Sequence, residues 1–403
     1  MLTLEQIGIE NLSTYNLKGK LFEREEDFIV QEIEEDETIL SLEREDVGKI
    51  PNEKRDYLSF TLVKRGISTP EAVKILSRKL NISFKRIAYN GNKDKRALTS
   101  QRITIFKLDA ERLNNINLER MFVRDVAYSE EPCKIGKLYG NSFTVIVKDF
   151  DPEADVNKIS GEISKLPNFY GPQRFGASSL NIDISRHIVR KEFKEAFRTM
   201  VLDERMESKV SAESRKTMRE FFSSYLEGES IDRNKAEDIL LKFPYSLYFE
   251  RESLKYLLEH KNDYIGAIRT MPKYARLLIL QSIQYFIFNK TLSRAIERYG
   301  IENIPEEMPV IGFSMQLGSD NISKVIKEVV EEEGISDLNM LKIESMPEAS
   351  LKTFQRPSII EVENFSIERE RENARIKFNL KKGSYATILL LKLFGDKIYN
   401  IQQ

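Results

Sequence analysis

Two hydrophobic periods alternate along the chain, and the places where one gives way to the other outline its organisation. In the first third, apolar residues recur at every second position or in short runs. Residues 28–33 and 57–63 are therefore expected to be strands. The triplet Thr69-Pro70-Glu71 supplies an N-cap, a proline at the first helical position and an acid in the first turn, so 70–80 is expected to be a helix. Residues 86–89 and 101–106 read as two further strands joined by a loop at 91–99. In 142–148, Phe143, Val145 and Val147 fall on one face and mostly polar residues on the other, the pattern of a strand with one buried face.

From about residue 183 to residue 300 the period becomes helical. Helices are expected at 184–200, 207–226, 231–241 and 253–261, with a long apolar helix within 273–299 whose stretch 277–288 is assigned to a core. Beyond it, 322–334 reads as an acidic helix, 375–380 alternates as a strand, and Ser384 is placed to cap a last helix through Phe394. Strand patterns at both ends of a helical middle predict an α+β fold, in which one sheet-containing domain is completed by both terminal parts and a second domain is inserted.

Composition removes several classes of chemistry. The 403 residues suffice for two or three domains with cores of their own. Cys133 is the sole cysteine, and His187 and His260 are the only histidines, so disulfides, zinc clusters and multi-histidine metal sites are excluded on ligand count. The segment MLTLEQIGIE lacks the basic stretch and apolar core of a signal peptide, and the longest apolar runs fall short of the ~20 residues that span a bilayer, so a cytoplasmic protein without membrane contact is expected. Neither G-x-G-x-x-G nor G-x-x-x-x-G-K-[ST] occurs, and no nucleotide cofactor is expected.

The formal net charge is −1, with 63 basic and 64 acidic residues, so any affinity for nucleic acid must be local. Residues 74–107 hold ten Lys and Arg and a single carboxylate, Asp94, in the loop Asn90-Gly91-Asn92-Lys93-Asp94-Lys95-Arg96. Neighbouring cations are expected to lower the pKa of Asp94 and to attract a phosphate backbone. Taken alone, such a loop is far more often a solvated turn with an ion-paired acid, and the rest of the chain has to shift that reading.

The run Gly91-Asn92-Lys93-Asp94-Lys95-Arg96-Ala97-Leu98-Thr99-Ser100-Gln101 resembles the G-x-K-D-K-x-A-x-T-x-Q signature of the TruD family of tRNA pseudouridine synthases. Four other stretches follow the family's order. Glu26-Asp27-Phe28-Ile29-Val30-Gln31-Glu32 is similar to its E-D-F-x-V-x-E element, and Gly140-Asn141-Ser142-Phe143 to G-N-x-F. Residues 167–176, PNFYGPQRFG, are similar to P-N-Y-F-G-x-Q-R-F-G, and Gly383-Ser384-Tyr385-Ala386-Thr387 to G-S-[FY]-A-T. The chain departs from the family at Phe169-Tyr170, where the aromatic order is reversed, and at Phe22, where the family has a Lys or Arg five residues before the Asp of E-D-F.

The resemblance implies a pseudouridine-synthase-like catalytic domain with a mixed, mainly antiparallel sheet, formed by 1–166 and 358–403. It implies a largely helical TRUD domain inserted at 167–357. It implies a monomeric isomerase that needs no cofactor and converts a uridine of tRNA, at position 13, to pseudouridine. Asp94 would attack C6 of the base or C1′ of the ribose. Phe143 would stack on the extruded uracil, and Asn141 would hydrogen-bond its edge or the ribose. Read without the resemblance, these two are a core aromatic and a turn residue.

Lys20 and Arg24 flank Phe22 at two positions either side and, if this stretch is a strand, share its face, so either could supply the missing charge to Asp94. Lys93 and Lys95, with Arg96, read as phosphate clamps. Arg174 and Phe175 join the substrate-binding set, with Arg174 either reaching a phosphate or pinning a domain junction. Two other readings stay open: a different Asp-nucleophile enzyme acting on RNA bases, and a non-catalytic RNA-binding or RNA-folding protein.

Overall fold

The computed structural model describes residues 3–44, 54–113, 116–176, 179–203, 205 and 209–395. Its strands are β1 (Phe28–Ile33), β2 (Tyr57–Arg65), β3 (Ile87–Tyr89), β4 (Leu98–Phe106), β5 (Asn117–Leu118), β6 (Met121–Ser129), β7 (Gly140–Val147), β8 (Lys165–Pro167), β9 (Glu307–Val310), β10 (Phe354–Pro357), β11 (Ile359–Glu370) and β12 (Asn373–Lys381). The α-helices are α1 (Thr69–Lys79), α2 (Val156–Glu162), α3 (Leu180–Val189), α4 (Phe193–Leu202), α5 (Lys209–Leu226), α6 (Arg233–Leu241), α7 (Tyr248–Glu259), α8 (Tyr264–Arg269), α9 (Lys273–Tyr299), α10 (Asn321–Glu332) and α11 (Ala386–Phe394). The first two residues of the helix expected at 207–226 lie outside the described residues.

Contacts divide the described residues into two units, one within 14–166 and 360–395, the other within 3–13 and 167–359. Residues 3–13 thus group with the inserted segment, whereas 1–166 was expected to form one continuous piece. Their backbone is tied to α9: the buried Asn289 donates to Ile7 O at 2.9 Å, and Glu10 N–H donates to Ser293 Oγ at 3.0 Å.

The sheet-containing unit holds ten strands among the described residues, in the order β5-β6-β2-β4-β1-β7-β12-β11-β8, with β3 also on β4. β1 and β4 run parallel, whereas the other registered pairs are antiparallel, which makes the sheet mixed and mainly antiparallel. Both ends of the chain's strand pattern meet in it, since β12 pairs with β7 along eight positions from Ala374↔Val147 to Lys381↔Gly140. Helix α1 covers one face, with Ala72, Val73 and Leu76 packed among Phe60, Leu62, Ile103 and Ile105.

The helix starts one residue earlier than expected. Ser68, not Thr69, is the N-cap, and its hydroxyl accepts from Glu71 N–H while the Glu71 carboxylate accepts from Ser68 N–H at 2.8 Å. Thr69 is thereby released from capping. The final helix also differs, because Tyr385 occupies its N-cap position and no side chain, Ser384 included, caps it.

In the other unit the 27-residue α9 is buried over most of its length, and α3 and α10 pack against it beside the two-stranded sheet β9-β10. The helix expected at 184–200 is broken into α3 and α4 at Lys191, whose φ of 63° cannot continue a right-handed helix.

At Gly140 β12 leaves no room for a side chain on β7. A Cβ there would lie 2.2 Å from Leu380 O and 3.1 Å from Lys381 Cα, both main-chain atoms that cannot swing aside. Gly140→Ala is expected to destabilise the protein by about 1–3 kcal/mol, read as a lower urea midpoint. An unchanged midpoint would show that the two strands can separate without cost.

Candidate functional site

Sheet register assembles the site. Lys64, Thr99, Val30, Phe143 and Phe378 are successive cross-strand partners on β2, β4, β1, β7 and β12, so their side chains leave the same face of the sheet. One step along the strands, Leu62 faces Gln101, while Glu32 faces Asn141, which in turn faces Leu380. The loop carrying Asp94 leaves β3, returns into β4 and lies over this face.

What holds the loop is a buried polar network. Lys93 N–H donates to Thr69 Oγ1 at 2.9 Å, Thr69 donates to Gln101 Oε1 at 2.8 Å, and Gln101 Nε2 donates to Gly91 O at 3.1 Å. Asn90 Nδ2 donates to Glu32 Oε1 at 2.9 Å, and the Lys93 ammonium lies 2.8 Å from the other Glu32 oxygen. Lys64, 1 % exposed, donates to Ile67 O at 2.8 Å, Asp94 O at 3.1 Å and Lys93 O at 3.4 Å. With Lys93 and Ala97 turned inward, Asp94, Lys95 and Arg96 turn out to solvent.

Asp94 differs from its expected state. Its residue surface is exposed, yet protein surrounds the carboxyl closely enough that desolvation raises its pKa; Lys64, then Lys93, then its own main-chain N–H pull the other way without overcoming this. The expected lowering fails because the flanking cations are committed elsewhere. Lys93 is bound to Glu32, and Lys95 lies 3.3 Å from Glu71, whose pKa falls to about 2 through hydrogen bonds from Ser68 and then Lys95. Among the described residues no cation comes within ion-pair distance of the Asp94 carboxylate. Raised basicity in a charged, accessible carboxylate suits a nucleophile.

Asn141 stands on β7 with its Oδ1 buried and without a hydrogen-bond partner. Phe143 is 6 % exposed and lies in a row of rings, with centroids 6.1 Å from Phe28 and 5.0 Å from Phe378, both stacked. A base could stack on it only if one of these neighbours moved. The half-buried Phe28 carries the more open ring.

The remaining expected residues are placed differently. The stretch around Phe22 is not a strand: Phe22 has φ 59° and packs edge-on against Phe28 at 5.1 Å. Lys20 pairs with Asp149 at 2.7 Å, and Arg24 is an exposed residue whose N–H donates to Asp27 at 2.8 Å, so neither holds Asp94. Lys93 cannot clamp a phosphate from inside its buried ion pair, although Lys95 remains exposed. In the other unit Phe175 is fully buried, which removes it from contact with a substrate, and half-buried Arg174 lies 5.9 Å from the centre of the Tyr285 ring. There Asn168 ties its segment to β10, donating to Pro357 O at 2.8 Å and accepting from Arg356 at 2.6 Å.

Sequence reading missed Lys64 and the structural role of Glu32. The signal for Lys64 was a lysine two positions beyond Leu62 and four beyond Phe60, on the apolar face of its strand, where a buried ammonium has to find acceptors. Among the described residues no group of three or more His, Cys, Asp or Glu side chains is arranged to hold a metal ion.

Because a raised carboxyl pKa gives stability only below the unfolded value and loses it as pH rises through the folded value, ionised Asp94 opposes folding at neutral pH. Asp94→Asn should therefore raise Tm by a few degrees at pH 7, with the gain shrinking towards about pH 4. A lower Tm at pH 7 would mean that the carboxylate stabilises the fold.

Comparison with known proteins agrees with this geometry. The family model described as tRNA pseudouridine synthase D (TruD) matches residues 6–308 and 302–393. Curated relatives named "Probable tRNA pseudouridine synthase D" include those of Methanopyrus kandleri, 29 % identical over 84 % of this chain and 85 % of its own, and Nanoarchaeum equitans, 28 % identical over 85 % and 88 %. The crystal structure of the "Putative tRNA pseudouridine synthase D (TruD)" from Methanosarcina mazei superposes with a TM-score of 0.77, at 27 % identity over 97 % of each chain. With a shared fold, a family match along most of its length and the Asp94 loop built over the sheet, this chain belongs to the tRNA pseudouridine synthase D (TruD) family.

Proposed function

We propose that this isomerase of the TruD family converts one uridine of tRNA, at position 13, to pseudouridine, with Asp94 as the attacking group. The observation that carries the reading is a solvent-accessible carboxylate without an ion pair on a loop whose inward groups are all bound. The carboxylate bonds to C6 of the base or C1′ of the ribose, the N1–C1′ bond breaks, and the uracil turns. A C5–C1′ bond then forms, the C5 hydrogen leaves as a proton, N1 gains a proton and the carboxylate is released. Atoms and electrons balance within the substrate and solvent, so the reaction calls for no oxidant or nucleotide cofactor.

Access requires the uridine to leave its stack. The unpartnered Asn141 Oδ1 is suited to accept from uracil N3–H or a ribose hydroxyl, because a buried acceptor left without a donor costs about 1–3 kcal/mol that a ligand can recover. Lys74, Arg78, Lys79, Lys85, Lys95, Arg96 and Lys107 are exposed and are the candidate phosphate contacts of this basic segment, which an overall charge of −1 requires to be local. Arg174 is retained as a candidate phosphate contact of the inserted unit.

Unmodified tRNA labelled with tritium at C5 of uridine tests the reaction. One tritium should be released per pseudouridine formed, at position 13 alone; release of free uracil would instead indicate a glycosylase, and binding without release an RNA-folding role. Asn141→Ala is expected to lower kcat about 10- to 100-fold, the scale of one lost hydrogen bond in the transition state. Unchanged kinetics would remove Asn141 from the site.

A further inference from the structure

Lys64 is a buried cation with no buried anion bonded to it. It occupies the penultimate position of β2, between Thr99 of β4 and Met121 of β6, and among the described residues no carboxylate lies within ion-pair distance. All three of its N–H donors are directed to main-chain carbonyls, those of Ile67, Lys93 and Asp94. Taking an ammonium out of water is costly, and an apolar side chain of similar length would spare the fold that cost. The position of the charge is therefore informative.

The charged groups facing Lys64 are Glu71 on α1 and Lys93 and Asp94 on the loop; Thr99 and Met121 beside it do not titrate. Glu71 is paired with Lys95, and Lys93 with Glu32. Asp94 is the one carboxylate among these groups without an ion pair. Position 22, where the resemblance implies a basic residue, holds Phe22 turned against Phe28.

We propose that Lys64 is the positioning residue of the reaction: its ammonium fixes the two peptides on either side of Asp94 through the Lys93 and Asp94 carbonyls and supplies, from beneath the loop, the positive charge that keeps Asp94 ionised and aimed outward. The proposal rests on Asp94 being the attacking group. It predicts a pH dependence, because burial, the largest cause, pushes the Lys64 pKa down to about 8, with Asp94 opposing and Lys93 adding to the fall. Below that pH the ammonium is present; above it the charge and one donor are lost. Thr99, whose hydroxyl is buried next to Lys64 without a partner, cannot replace the charge.

The test measures kcat and KM for tritium release from about pH 6 to about pH 9.5 in the parent, Lys64→Arg and Lys64→Met, with tRNA affinity and Tm recorded for each. The parent kcat should fall above about pH 8. Lys64→Met should lose about 100-fold or more in kcat with KM within about threefold, and Lys64→Arg, charged throughout, should keep more of the activity and shift the alkaline limb upward by at least about one unit. A purely structural lysine would lower Tm without moving the limb. A parent kcat that stays flat to about pH 9.5, a limb unchanged in Lys64→Arg, or a Lys64→Met kcat within about fivefold of the parent would each overturn the proposal. If a variant does not fold, the parent profile still decides against a flat curve. Asp94→Asn is assayed alongside: if it is inactive while the Lys64 results are negative, only the role of Lys64 fails, whereas an active Asp94→Asn removes the basis of both readings.

Discussion

Three main-chain carbonyls converge on the Lys64 ammonium, and two of them, those of Lys93 and Asp94, belong to the peptides on either side of Asp94. A short loop laid over a sheet buries carbonyls that cannot join a ladder, and each needs a donor. Lys64 provides them from β2, while Thr69 and Gln101 provide the matching contacts from α1 and β4. The Glu32–Lys93 pair then locks the inward side of the loop to β1. Four elements thus define one short segment, which leaves the backbone at Asp94 little conformational freedom.

That dependence explains why the resemblance falls on scattered short stretches. Glu32 ends the first of them because Lys93 of the second needs a buried anion, and Gln101 ends the second because Thr69 and Gly91 need an acceptor and a donor. In the other unit, Asn168 performs a comparable task, bonding β10 through Pro357 and Arg356. These residues shape backbone. Within the sheet-containing unit, Asn141 and Asp94 differ from them: one keeps an acceptor unbonded and the other a carboxylate unpaired.

The strands that flank the site were legible because their alternation is uninterrupted, as in β7, and the long apolar α9 was legible for the same reason. β11 was not, since a register shift between Glu363 and Ser366 and a left-handed Asn364 break its period of two. Charge was harder to read than pattern. A run of cations near one acid suggested a lowered pKa, but sequence proximity does not say which way a side chain points: Lys93 turned inward to Glu32 and Lys95 bound Glu71, so desolvation prevailed at Asp94. Lys20 and Arg24 illustrate the same limit, because their common face depended on a strand that the left-handed Phe22 does not permit.

The central claim is that a carboxylate held outward by this network attacks the uridine, and single-turnover tritium release with enzyme in excess over C5-labelled tRNA examines it without interference from product release. Asp94→Asn should bind the tRNA with an affinity within about threefold of the parent and release tritium at least about 1,000-fold more slowly, since it keeps the loop and its contacts but not the nucleophile. Release within tenfold of the parent at full binding would contradict the account.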